Sequence, residues 1–503
     1  MIKTRMRKLA RLIGGASLAL TLPLAAAAEE ANKAADKWDV NKPPFEFKSI
    51  PLDTRETTWS NLDISPDGER IVFDMLGDIY EMSVNGGEAR AITSEIAWNI
   101  QPRYSPDGNS IVFVSDRDGA DNIWIMDRNG DNLRQLTTEK ENLVHAPNFS
   151  PDGEYLVARK GFMSGRSIPA GEIWMYHHGG GEGRQIKARI GGDIAQKNIS
   201  DAVFSPDGRY IYYAIDTTPG TVWEYNKNST QQIFAINRYD LQDGKEETFV
   251  SGPGGSIAPV PSPDGEKLAF IRRQDDQTSL FVKDLNSGLE EPIYTGLERD
   301  LQETFGSHGN YVHYDWMPDG KSLIVWSGGK FLRINADGSS LERGAREIVA
   351  HIKTEKQIAD AVRFPVDVAP EQFDVKMIRW AQKSPDGEQI AFQALGKIYV
   401  QDVNSGERRR LTRQDEHFEF YPSWSRDGKQ ITYVTWDDEK LGQVRVVSAR
   451  SGRGKTITKE PGLYVEPSFS PDGETVAFRR FTGGYLLSPE YALEPGIYLA
   501  DAD

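Results

Sequence analysis

Short runs in which apolar residues alternate with polar ones, or stand together for a few positions, recur along the whole chain. "SIVFVS", "NIWIMD", "KLAFIRR", "SLFVKD" and "KIYVQD" are examples. A period of two puts successive side chains on opposite faces of an extended strand. The runs come in sets with a fixed order. A short strand precedes a Ser-Pro-Asp-Gly stretch, an apolar strand follows it, and a loop leads to a third strand. A "NGG", "NSG" or "DGK" turn then opens a polar fourth strand such as "RQLT" or "RRLT".

The Ser-Pro-Asp-Gly turn is the punctuation of the pattern. Its Asp falls at Asp67, Asp107, Asp152, Asp207, Asp264, Asp386 and Asp472, with "MPDG" at Asp319 and "SRDG" at Asp427. Pro presets φ for the turn, Asp and Ser bond nearby backbone N–H groups, and Gly takes the positive φ that closes it. Five copies carry Pro five places before the Asp, at Pro102, Pro147, Pro259, Pro422 and Pro467. Four short strands in 40–45 residues, repeated many times, predict the blades of an all-β propeller.

The repeats also count at a longer period. "SPDGERIVFDMLGDIYEM" from Ser65 returns as "SPDGEQIAFQALGKIYVQ" from Ser384, an offset of 319, and "PNFSPDGE" at Pro147 returns as "PSFSPDGE" at Pro467. Successive Asp spacings of 40, 45, 55, 57, 55, 67, 41 and 45 repeat their opening pair at the seventh copy. The pattern predicts one six-bladed ring over 45–357 and the first three blades of a second, incomplete ring over 358–503. The widest gap, "GAREIVAHIKTEKQIADAVRFPVDVAPEQFDVKMIRW", reads as the outer strand of blade six, a linker and the approach to blade seven. A single nine-bladed ring exceeds the usual four to eight blades. A half ring exposes sheet edges and apolar faces, and the chain is expected to be a truncated part of a longer protein.

Charge and composition narrow the function. The 503 residues carry a net charge of −16, which argues against a nucleic-acid partner. Residues 1–28 read as a signal peptide: Lys3, Arg5, Arg7, Lys8 and Arg11 precede an apolar run from Leu12 to Leu24, then Ala26 and Ala28. Cleavage after Ala28 leaves 29–44 as a linker and an exported chain, periplasmic or extracellular, with no stable membrane span. There is no Cys, so packing and hydrogen bonds must supply the stability.

Sites of chemistry are sparse. There is no Gly-x-Ser-x-Gly elbow, and "GPGGS" at Gly252 lacks the Lys of a phosphate loop. "SDRDGADN" at Ser115 and "DRNGDN" at Asp127 lack the closing Glu of a calcium loop and read as turns. The histidines are His145, His177, His178, His308, His313, His351 and His417, no two separated by one residue. Adjacent His177 and His178 are expected on opposite faces of a strand, and His308 and His313 to flank a solvated turn. No catalytic residue, metal ligand or cofactor is predicted within this chain. Loops joining second to third strands share one face, and long ones there often bind something. That face offers Arg166, Trp223, Tyr225, Trp436, Asp437 and Tyr485 as candidates, with packing against another domain as the competing use.

The blades resemble TolB-like propeller repeats, as in TolB, in tricorn-type proteases and in the N-terminal halves of exported bacterial amidohydrolases. "KWDVNKPPFEFKSIPLDTRETTWSNLDISPDG", "GDIY", "AGEIWMYH", "SGPGG", "RFPVDVAP" and "HFEFYPSWSRDG" are most similar to the last group. That resemblance implies a non-catalytic region that docks on, or gates substrate toward, a downstream metal-dependent C–N hydrolase. Any divalent metal would belong to that domain, whose His-x-His pair has no counterpart here. The alternative is a free-standing TolB-like module that binds an envelope protein.

Overall fold

A computed structural model of the chain describes residues 39–163, 169–194, 196–224, 227–302, 304, 306, 308–359, 365–481 and 494–503. The expected signal peptide, 1–28, and most of the expected 29–44 linker lie outside them. No described helix is long and apolar enough to cross a membrane.

Each of the nine Ser-Pro-Asp-Gly-type turns joins the first and second strands of its own antiparallel sheet. The innermost strands of the nine sheets are Leu62–Ile64, Asn99–Tyr104, Leu143–Phe149, Ile199–Phe204, Ile257–Pro261, Asp315–Trp316, Arg379–Lys383, Phe418–Trp424 and Tyr464–Phe469. In the first turn Ser65 Oγ lies 2.5 Å from Asp67 Oδ1, which accepts from Glu69 N at 3.0 Å. Arg70 N donates to Ser65 Oγ at 3.0 Å, and Gly68 takes φ 72°. The Met317 variant lacks the hydroxyl but keeps the carboxylate contact, Lys321 N to Asp319 Oδ1 at 3.0 Å.

Packing runs from each sheet to the next. Separate apolar clusters fill the interfaces of sheets one and two, two and three, three and four, and four and five. The largest cluster joins sheets five, six and one, with the Phe73 and Phe331 rings 4.9 Å apart. The turns repeat the circuit: Gly108 faces Pro66, Gly153 faces Pro106, Gly208 faces Pro151, and Gly68 of sheet one faces Pro318 of sheet six. Two further clusters join sheets seven to eight and eight to nine, and among the described residues no apolar cluster spans residue 360.

Two features differ from the sequence reading. First, the extended stretch after sheet six does not stay with blade six. Strand Ala350–Ala359 leaves sheet six and pairs in parallel with Gly87–Ala91 of sheet one, while Phe47–Thr54 pairs antiparallel on its outer side. Sheet one thus has six strands, and the strand passes the expected boundary at 357. A propensity pattern shows that 350–359 is extended, but not which edge it joins. Second, His177 and His178 do not face apart. The strand Pro169–His177 ends between them, so turn geometry brings their rings to 4.7 Å, beside Glu154.

Candidate functional site

The innermost strands of sheets one to six converge on a narrow axial passage. The residue six places before each turn Asp projects into it: Asn61, Gln101, Ala146, Asp201, Ala258 and His313. Gln101, Ala146, Asp201 and Ala258 have positive φ, between 50° and 57°, where the ladder to the second strand skips register. Such a bulge turns a side chain out of the pleat. Where the next residue is proline, its missing N–H falls in the interrupted part of the ladder.

A circuit of polar contacts runs round this passage. Asp74 accepts from Asn61 N at 2.7 Å and from Gln101 N at 2.6 Å. Asp63 accepts from Tyr104 N at 2.7 Å, and Gln101 Oε1 from Ala146 N at 2.7 Å. Asn148 donates to Ala202 O at 3.0 Å, and Tyr314 donates to Ala258 O at 2.7 Å. Leu62 N donates to His313 O at 3.2 Å and Ile64 N to Asp315 Oδ2 at 3.4 Å, which joins sheet six to sheet one. Burial pushes Asp63, Asp74 and Asp201 up to about 6 and Asp315 well above the usual carboxylate range. Asp63 also raises the cost of ionising Asp315, while a hydrogen bond from Asp315 favours ionised Asp63, and buried Arg103 only partly offsets the burial of the pair. His313 is held well below its ordinary value by burial and by Arg103.

The passage is closed at one end by the connection between sheets five and six. Gln302 donates to Lys227 O at 2.9 Å, and Lys227 Nζ reaches Thr304 O at 3.4 Å. Asn198 donates to Gly306 O at 3.0 Å, Gln101 to His308 O at 2.5 Å, and Asn310 to Ser200 Oγ at 3.3 Å. The space left in the passage is ≈ 20 Å³, about the room one water needs. Among the described residues, the lining of the passage leaves no substrate-sized space.

The plug brings three chemically capable side chains together. His145 Nε2 lies 2.7 Å from Asp121 Oδ2, and His308 Nε2 lies 3.7 Å from the same oxygen. The two imidazole centroids are 4.0 Å apart. His145 is fully buried, and its Nδ1 has no hydrogen-bond partner among the described residues. Burial pulls His145 down to about 4, so its ring is neutral. Burial alone would raise Asp121, but hydrogen bonds to both imidazoles outweigh it and hold the carboxylate well below its usual range. Two imidazoles and a carboxylate can hold a metal ion. No serine, cysteine or lysine nucleophile lies in this trio.

Sequence reasoning missed this group. Asp121 sits in "SDRDGADN", read as a turn; His145 is in an inner strand; His308 was placed on a solvated loop. The legible signal was length, since the spacing from Asp264 to Asp319 exceeds the 40–45 of the shortest blades by at least ten residues. A second group, Glu154, His177 and His178, lies on the surface.

The expected face residues fare unevenly. Arg166, Tyr225 and Tyr485 lie outside the described residues. Trp223 is half-buried under Lys227, whose Nζ sits 4.6 Å from the ring centroid, so it packs next to the plug. Trp436 donates from Nε1 to Asp438 at 2.8 Å. Asp437 accepts from Glu439 N and Lys440 N, at 3.0 and 2.7 Å, and so shapes its own turn. Trp223 thus meets Lys227 beside the plug, whereas Trp436 and Asp437 bond within their own loop.

Comparison with known proteins identifies the kind of sheet. The family model described as TolB beta propeller domain matches residues 61–172. Tricorn protease homolog 1 of Streptomyces coelicolor is 23% identical over 437 residues, covering 84% of this chain and 37% of that protein. The Tol-Pal system protein TolB of Francisella tularensis is 31% identical over 107 residues, covering 21% of this chain and 23% of that one. Among solved structures, the tricorn protease superposes with a TM-score of 0.40 at 17% identity, over 90% of this chain and 44% of its own. The chain therefore carries a TolB-like β-propeller domain, and it spans well under half the length of these two curated relatives.

Proposed function

We propose that this chain is the non-catalytic propeller region of an exported hydrolase of the amidohydrolase type, with one closed ring of six blades and three blades of a second. On this reading the first ring is a rigid, plugged platform, and the later blades carry the docking surface for the catalytic domain. The observation that carries the docking reading is exposed apolar surface on both flanks of sheets seven to nine. On the last strand, Gly496–Asp501, Ile497 and Leu499 are 80% and 72% exposed. Before sheet seven, Val368, Phe373 and Met377 are 90%, 63% and 62% exposed. Large contiguous apolar patches mark interaction surfaces. The return of packing from sheet six to sheet one supports the closed ring. The order of the blade motifs supports the amidohydrolase parent, and the charged, apolar N-terminus supports export to the periplasm.

Filling of the axial passage directs gating away from the first ring. Any steering of substrate falls to the aromatic inner edge of sheets seven and eight, where Trp380 and Tyr421 lie 4.2 Å apart.

Two experiments test this reading. Reading the coding frame past Asp503 should reveal further Ser-Pro-Asp-Gly blades followed by His-x-His; a frame lacking both overturns the parent assignment. Limited proteolysis of the full chain should cut first after about residue 360 and leave 45–357 resistant. Equal resistance of both parts would count against an unsupported second ring.

A further inference from the structure

The trio in the plug is unlike its surroundings in a way the repeat makes measurable. His145 stands seven places before its turn Asp. The corresponding residues in sheets two, five and six are Ile100, Ile257 and Val312, and in sheets one and four Ser60 and Ser200. In these five sheets of the first group the scaffold takes only a small or apolar residue there. A buried imidazole with one nitrogen unpartnered costs stability that a branched apolar side chain would not. Asp121 precedes its third strand at a place where the tight hairpins of sheets one and seven have Gly77 and Gly396. His308 arrives from the far side of the passage on the plug. Three unrelated departures from the repeat thus meet at one point.

We infer that Asp121, His145 and His308 bind one divalent transition-metal ion of the zinc type, which pins the connection between sheets five and six onto sheets two and three. In a tetrahedral zinc site with bonds of about 2.0–2.1 Å, neighbouring ligand atoms stand about 3.3–3.4 Å apart. The observed separations from Asp121 Oδ2, 2.7 Å and 3.7 Å, bracket that edge. All three ligand atoms lie within 4.8 Å of one another, so small side-chain shifts complete the set. The donor set, two imidazoles and a carboxylate, suits zinc and its neighbours better than calcium or magnesium, which prefer all-oxygen shells. The fourth position falls on the side where His308 is half exposed, and water fills it. The ion's role here is to cross-link sheets two and three to the plug, and it would act whatever catalytic domain the chain serves.

The test uses the full chain, stripped with a chelator and titrated with Zn²⁺ and with Co²⁺. To remove the surface group, all proteins carry His177→Ala and His178→Ala. The expected result is one tight equivalent of Zn²⁺ and tetrahedral Co²⁺ absorption in the visible. His308→Ala and Asp121→Asn should each weaken binding at least tenfold. Neither change touches the apolar core, and far-UV circular dichroism with unaltered melting of the chelated protein verifies that both fold. Bound Zn²⁺ should also slow proteolytic cutting within 298–312 several-fold in the parent and not in His308→Ala. Absence of stoichiometric binding in the parent, or binding equal in His308→Ala and Asp121→Asn, overturns the site. Tight binding without protection of 298–312 overturns the pinning role.

Discussion

Sheets one to six and sheets seven to nine are written in the same repeat but use it in opposite ways. In the first group every sheet has a neighbour on both sides, and a polar circuit of Asp63, Asp74, Gln101, Asn148, Asp201 and Asp315 ties the inner strands together. In the second group the inner strands present Trp380, Phe420 and Tyr421, with the Trp380 ring edge-to-face with Phe420 and tilted against Tyr421, and the outer sheets end in exposed apolar side chains. The same turn, strand order and bulge therefore specify a blade but not its fate. What a blade becomes depends on whether its two faces find partners.

The sharpest way to break that contrast is a core truncation in each group. Trp316 is 2% exposed and donates from Nε1 to Val260 O at 3.0 Å. Trp316→Ala should cost about 3–5 kcal/mol and shift only the unfolding phase of the first group in urea denaturation. Phe478→Ala in sheet nine should shift only the other phase. A single transition moved equally by both changes would mean that the two groups unfold as one body.

The buried carboxyl pair gives the next largest effect. Asp63 and Asp315 have folded pKa values raised above the unfolded ones, so their ionisation destabilises the fold. That loss is absent below the unfolded value near 4 and complete once pH exceeds the folded values. Arg103, Asp74 and His313 face the pair. His313, depressed by burial, acts in the opposite sense, losing stability as pH falls through about 6.5. The comparison of Asp315→Asn with the parent cancels that common background. The variant should gain on the parent as pH rises from 4 to 7, because the parent alone must ionise a buried carboxyl over that window, read from denaturation midpoints at each pH. A pH-independent difference would show that Asp315 does not hold a proton in the fold.

The smallest effect compares one turn glycine in two settings. Gly68 and Gly473 have φ of 72° and 81° and close equivalent turns. A Cβ on Gly68 would lie 3.2 Å from Pro318 Cδ, whereas one on Gly473 meets nothing within 4 Å. Gly473→Ala should cost about 1 kcal/mol, the left-handed penalty alone. Gly68→Ala should cost about 1 kcal/mol more, because a neighbouring sheet must also give way. Equal costs would imply that sheets six and one are not pressed together in solution.

Much of this was legible in the chain itself. Nine turn motifs marked nine sheets, because Pro, Asp and Gly act on their own backbone and need no distant partner. The polar circuit and the plug were less visible. Gln101, Ala146 and Asp201 share no residue type, and only their common place before the turn relates them. Asp121, His145 and His308 lie far apart in sequence, with nothing in their neighbours to join them.

By itself, then, the sequence determined the local structure: the strand period, the turn at each repeat, and the likeness to TolB-type blades. The tertiary structure decided what those blades enclose. It sent strand Ala350–Ala359 to the edge of sheet one, filled the axial passage, and set one aspartate and two histidines within bonding reach. The physical reason is range. Turn and strand preferences act over a few residues, while channel contacts depend on which sheet edges and loops meet after the circuit has formed.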